Sequence, residues 1–316
     1  MASHHQAAQP QVRLSRGNFS TSALSIMSPS LEVHAEVATA DSPLVFDSPH
    51  SWSHWPVDAP PTVCSAEALR TSCDAWVDEI WHQATGSNAP LLCARFHRAY
   101  IDANRARDDI DPSMLAEPWP AVVRPSEKSR RGFGLIRRLA LPDVPLYERP
   151  LAVEDIRHRL HHCYDPYHAK LASLIDAAHE QHGFVLHINC HSMKSVGNAM
   201  NDDAGLPRPD IVVSDLNGRS ASPSLTRWIA ATLGALGYRV SMNHPYQGAE
   251  LIRRHSAPSE GRHSVQIELN RALYMDEAAF VKTEGYSRLV RHLRLFVREM
   301  RQGLAADLRA SQLLHR

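Results

Sequence analysis

The stretch from Gly183 to Ser195, GFVLHINCHSMKS, constrains the chain more than any other. Phe184 to Ile188 is a short, largely apolar run that predicts a buried strand, and it leads directly into Asn189-Cys190-His191-Ser192. An open α/β sheet places its chemistry in the crevice outside the carboxyl ends of its strands. A strand that ends in His and Ser therefore marks a candidate site. Cys190 beside His191 raises a Cys–His nucleophile as an alternative, but adjacent residues on a strand point to opposite faces.

The rest of the chain supplies an alternating pattern of strands and helices. Leu44-Val45-Phe46 predicts a first core strand, again followed by a histidine, His50. Thr71-Ser72 reads as the cap of a helix in which Val77, Ile80, Trp81 and Ala84 share one face, with Asp74 in its first turn. A strand-like run covers 90–101, and helical periodicity covers 154–181, with Pro166 expected to break or kink it. Residues 208–215 and 238–243 predict further strands, and 222–236 a helix ending at Gly237. In 263–271, Val265, Ile267 and Leu269 alternate with Gln266, Glu268 and Asn270. A basic amphipathic helix closes the chain at 285–310. Strands interleaved with helices predict an α/β fold, a mixed, mostly parallel sheet flanked by helices.

Composition narrows the class. The 316 residues carry 34 Lys+Arg against 34 Asp+Glu, a balance that argues against a dedicated nucleic-acid or membrane-surface protein. The five cysteines include no CxxC spacing, which argues against a disulfide framework and a structural zinc finger. No apolar run approaches the roughly 18 residues of a membrane span, so a cytoplasmic protein is expected. Residues 1–30, rich in Ala, Ser, Gln and His, read as a disordered tail, and 31–316 as one domain. The Pro-, Gly- and Arg-rich segment 106–150 is long enough to predict an active-site loop.

His50 and His191 both follow apolar strands, so parallel pairing would bring them to one sheet edge, where Asp74 also falls. Two histidines and one carboxylate with a fourth position open to water form a common catalytic zinc arrangement. Taken singly, each of these residues has an ordinary structural explanation.

The segments PHSW (49–52), DAWVDEIW (74–81), HRAYIDANR (97–105), GFGLIRRLALPDVPLY (132–147) and DPYHAKL (165–171) resemble the N-formylglutamate amidohydrolase (deformylase) family. So do NCHSMKS (189–195), PDIVVSDLNG (209–218), NHPYQGAELIRR (243–254) and VQIELNRALYMDE (265–277). The resemblance implies a zinc-carboxypeptidase-like (phosphorylase/hydrolase-like) α/β fold. It also implies one Zn2+ per chain held by His50, Asp74 and His191, with Glu268 as general base. The substrate it implies is a small N-acyl amino acid, foremost N-formyl-L-glutamate at the end of histidine breakdown. Arg98, Arg105 and Arg253 would meet its carboxylates, because arginine forks bind carboxylates bidentately, and Asn104 and Asn243 would add hydrogen bonds. The same fold acting on another N-acyl amino acid or a small peptide, or as a non-catalytic metal- or ligand-binding homologue, is the alternative. Two positions depart from the family pattern: Asn189 stands where Asp is usual, and Trp52, where Gly is usual, is expected to narrow the pocket.

Overall fold

The computed structural model describes residues 30–34, 42–56, 59–60, 62–141, 143–197, 201 and 203–314, with backbone alone from 305. The segment read as a tail falls outside these residues apart from Ser30.

Nine strands and eight helices carry the site. The strands are β1 Leu31–His34, β2 Leu44–Ser48, β3 Leu91–Ala94, β4 Leu139–Leu141, β5 Val144–Pro145, β6 Val185–Met193, β7 Ile211–Ser214, β8 Val240–Met242 and β9 Arg262–Asn270. The helices are α1 Ala66–Thr71, α2 Val77–Thr85, α3 Glu127–Arg130, α4 Val153–Arg159, α5 Asp165–His182, α6 Pro223–Ala235, α7 Glu250–Arg254 and α8 Gly285–Leu314. Seven strands form one sheet in the order β1-β3-β2-β6-β9-β7-β8. Pairing is parallel from β3 through β2 and β6 to β9, and antiparallel at β1–β3 and β7–β9. The expected mixed, mostly parallel sheet is thus present, with helices on both faces.

β6 is central, and every one of its nine residues is buried. Its two faces differ chemically because side chains alternate. Leu186, Ile188 and Cys190 join a core with Leu44, Phe46, Trp81, Val265, Ile267 and Phe296, under α2, α6 and α8. Val45 and Val185 face the opposite core with Tyr164, Tyr167 and Leu171 from the α4–α5 side. On that second side, β6 presents His187, Asn189 and His191. Cys190 therefore points away from His191 into apolar packing, and burial drives its thiol well above the ordinary range. Among the described residues no helix is long and apolar enough to cross a membrane.

Three local readings change. Thr71 and Ser72 end a helix instead of starting one: their hydroxyls donate to the carbonyls of Ala68 and Leu69 at the end of α1. α2 begins only at Val77, after Trp76 turns left-handed at φ 57°. Asp74 thus lies in the turn before the helix, its N–H donating to His50 O at 2.9 Å. Pro166 does not end the α4–α5 helix, because Leu160–Tyr164 widens into a π-helical turn in which Asp165 N–H donates to Leu160 O. Such a turn takes up the irregularity that a proline imposes on the hydrogen-bond ladder. The run 90–101 is a strand only to Ala94, after which His97 to Arg105 form successive turns.

Candidate active site

Register places the principal groups side by side. β6 pairs with β9 so that His191 lies opposite Glu268, and β2 pairs with β6 so that Asp47 lies opposite Asn189. His50 follows β2, and its backbone carbonyl holds the Asp74 turn.

His50, Asp74 and His191 each offer one atom, and these atoms lie within 4.8 Å of one another, all buried. Asp74 Oδ2 is 3.0 Å from His191 Nδ1 and 3.6 Å from His50 Nδ1. Both imidazoles are held from behind. His50 Nε2–H donates to Asp102 Oδ1 at 2.6 Å, and His191 Nε2–H to Asn189 Oδ1 at 2.7 Å. Both Nδ1 atoms therefore turn toward Asp74, and His50 Nδ1 is buried there without a hydrogen-bond partner. A histidine that donates its other N–H to an acceptor is the usual arrangement of a metal ligand. The orphaned Nδ1 and the mixed N,N,O donor set fit a divalent cation of the zinc type.

Charge is distributed to match. Burial would raise the Asp74 carboxyl, but the His191 and His50 imidazoles against it and the Arg98 charge hold it well below the usual range. Its Oδ1 faces Arg271 Nη2 at 3.5 Å and Arg98 Nη1 at 3.6 Å. Asp102 is likewise kept low against its burial by His50 and Arg98, accepting from Arg98 Nη2 at 3.1 Å. Glu268 goes the other way: burial pushes its carboxyl up to about 7, with the Asp74 charge adding to that and His191 opposing it. Gln266 Nε2 donates to Glu268 Oε1 at 2.9 Å. A buried carboxyl poised near neutrality beside a cationic centre can take and return a proton.

These groups open into a cavity of about 640 Å³, lined also by Arg98, Asn104, Arg105, Arg137, Asn243 and Arg271. Residues 128–141, from the segment expected to be a site loop, supply part of its wall. Arg105 donates to the carbonyls of Phe133 and Asn104. Asn104 is held in the wall: Nδ2 donates to Gln266 Oε1 at 3.3 Å, and Oδ1 accepts from Leu251 N–H. Asn243, left-handed at φ 55°, ties the Asp215–Asn217 turn through its side chain. Arg253 stands apart. It lies on α7, 63% exposed and paired with Glu250, and is not among the cavity-lining residues. Trp52 does not narrow the cavity, because its ring stacks against the Arg95 guanidinium at 4.7 Å, outside the lining.

Asn189 does more than stand in for a carboxylate. Its Nδ2 donates to Asp47 Oδ1 at 2.7 Å, and Asp47 also accepts from His187 Nε2–H at 2.9 Å and Tyr167 O–H at 2.8 Å. A carboxylate only accepts, so Asp47 fixes the amide with its oxygen toward His191. Nothing in the sequence marks Asp47 as a site residue, Gln266 shows only as a polar position of an alternating strand, and Arg137 only as one of two adjacent arginines in the 132–147 segment. Asp102 could be read only as a partner for Arg98, and its bond to His50 required the fold.

A helix-flanked mixed sheet with two imidazoles and a carboxylate gathered at one edge, opening into a polar cavity, is an α/β fold with an enzyme-like site. Residues 42–275 match the N-formylglutamate amidohydrolase family, and the chain belongs to that family of amide hydrolases. It is 28% identical over 243 residues to N-formylglutamate deformylase of Pseudomonas aeruginosa, covering 75% of this chain and 84% of that protein. The corresponding figures for N-formylglutamate deformylase of Pseudomonas putida are 26% over 209 residues, 65% and 71%. The crystal structure of N-formylglutamate amidohydrolase from Ralstonia eutropha JMP134 superposes with a TM-score of 0.80 at 35% identity, covering 88% of this chain and 99% of that one. The Agrobacterium tumefaciens protein Atu2144 shares the fold at 18% identity and a TM-score of 0.61, over 85% of this chain and 92% of that one.

Proposed function

We propose that the chain hydrolyses the amide bond of N-formyl-L-glutamate, releasing formate and L-glutamate, with one zinc ion held by His50, Asp74 and His191. The observation that carries this reading is the buried three-ligand cluster with Glu268 directly across the β6–β9 pair from His191. The family and the names of the relatives support the substrate.

A zinc ion held there would polarise the formyl carbonyl and make a water molecule more acidic. Glu268 takes a proton from the attacking water and delivers it to the amine nitrogen as the C–N bond breaks, a two-way transfer suited to a carboxyl near pH 7. Asp102 and Asn189 keep both imidazoles oriented. Arg105, whose Nη2 is not used by its two backbone bonds, would meet a carboxylate of the substrate, and Arg98, held by Asp102 and Asp74, would add positive charge beside it. Asn104 and Asn243 also line the cavity, and their hydrogen bonds make them holders of the wall. Arg253, exposed and paired with Glu250, would contribute only if the mouth of the cavity extends to α7.

The test is formate release from N-formylglutamate, N-formylaspartate and N-acetylglutamate, with and without a chelator. N-formylglutamate should be cleaved fastest, and chelation should stop the reaction. No formate from N-formylglutamate with zinc-loaded protein would overturn the proposal.

A further inference from the structure

Resting on that reading, we infer that Arg137 is a specificity-determining residue that receives one of the substrate's carboxylates. Arg137 follows α3 in the cavity wall and is 7% exposed. Its neighbours leave it short of counter-charge. Its Nε is buried with no hydrogen-bond partner. Its nearest carboxylate oxygen is Asp102 Oδ2, 3.6 Å from Nη2 and beyond a direct hydrogen bond. That oxygen already accepts from Arg98 at 3.1 Å, while Oδ1 of the same group accepts from His50 at 2.6 Å and Asn104 N–H at 2.9 Å.

The other buried or half-buried arginines of the cavity are committed. Arg98 is held between Asp102 and Asp74. Arg208 forks onto Asp203 at 2.7 and 2.8 Å. Arg271 donates to Ser192 Oγ and to the carbonyls of Thr71 and Cys73. Arg105 spends Nε and Nη1 on backbone carbonyls. Arg98 Nε is likewise buried without a partner, but its terminal nitrogens face two carboxylates, whereas Arg137 joins an orphaned Nε to a guanidinium with no carboxylate in direct hydrogen-bond reach.

Burial, with Arg98 beside it, pushes the Arg137 guanidinium down to about 9, the direction expected of a buried cation that lacks an anion. It remains charged at neutral pH. A planar fork with open donors is suited to a carboxylate, and a dicarboxylic substrate brings two. The Phe133 ring, 5.5 Å from the Arg137 guanidinium carbon, backs it from one side.

The experiment compares wild type, Arg137→Met and Arg137→Lys on N-formylglutamate and its two monoamides, N-formylglutamine and N-formylisoglutamine. In Arg137→Met, the preference for the diacid over one monoamide should fall at least tenfold, mainly through KM, while turnover of that monoamide stays near wild type. The monoamide affected identifies the carboxylate. Arg137→Lys should recover part of the preference. Binding of glutarate, measured by calorimetry, should weaken in Arg137→Met by a similar factor, and this measurement does not depend on turnover.

Unchanged preference ratios together with unchanged glutarate affinity would overturn the inference. So would equal losses on all three substrates, above all if accompanied by a lowered Tm, since that marks Arg137 as a structural partner of Asp102. Failure of wild type to cleave N-formylglutamate would instead sink the proposed function, and the glutarate titration would still decide the role of Arg137.

Discussion

Replacing Glu268 by Gln tests both the chemistry and its energetic cost. Gln keeps the side chain's shape, and its carbonyl can still accept from Gln266 Nε2, which donates to Glu268 Oε1 at 2.9 Å in the native chain. What disappears is a carboxyl whose proton affinity is displaced from 4.5 to about 7, chiefly by burial. At about 1.4 kcal/mol for each pH unit, that displacement is worth ~3 kcal/mol. The sign follows from linkage. Between pH 4.5 and about 7 the folded protein holds a proton at Glu268 that the unfolded chain has released. Stability of the metal-free protein therefore falls as pH rises through that window and stays low above it. Metal-free Glu268→Gln escapes this loss. It should be more stable than wild type by under about 1 kcal/mol at pH 5 and by ~3 kcal/mol at pH 8. Urea unfolding at the two pH values measures the difference. Zinc bound as proposed would supply the counter-charge that the buried carboxylate lacks, so the advantage should shrink in metal-loaded protein. Turnover of the loaded variant should fall by about a hundred- to ten-thousand-fold, the usual worth of a general base. An advantage equal at pH 5 and pH 8 would refute the electrostatic account of Glu268, and near-normal turnover would remove it from the mechanism.

Other substitutions address the parts that surround it. His191→Ala should abolish activity and stoichiometric zinc together, as read by elemental analysis; retained zinc would break the ligand assignment. Asp102→Asn removes the charge behind His50 Nε2 and should weaken zinc binding about 10- to 100-fold in chelator competition; an unchanged Kd would reduce Asp102 to a partner for Arg98. Trp52→Gly should leave KM for N-formylglutamate unchanged, because Trp52 stacks on Arg95 outside the cavity; a KM shift of tenfold or more would place that ring at the site.

The period-two pattern of VLHINCHSM was legible because a central strand must send its apolar and polar residues to different faces. That pattern put His191 at a sheet edge and turned Cys190 away from it, as the structure does. His50 was legible for the same reason. Asp74 reaches that edge by a route the helical pattern does not show: it lies in the turn before α2, held by His50 O, and not in the helix. The surrounding hydrogen bonds were not legible. Asp102 and His50 are 52 positions apart and Asp47 and Asn189 142 apart, contacts that only parallel strand pairing and the turns after β3 bring about. Arg137 sits in a segment without helical or strand periodicity, so nothing local distinguished it from Arg138. Arg253 shows the converse: a motif position can be occupied by a side chain that points to solvent.

The central claim is that His50, Asp74 and His191 form a single zinc site on which amide hydrolysis depends. Metal-depleted protein titrated with zinc, with formate release from N-formylglutamate followed at each addition, tests it most directly. Activity should rise linearly and level off at one zinc per chain, and His191→Ala should show no rise at all. Full activity in the metal-depleted protein, or a rise that His191→Ala shares, would contradict the account.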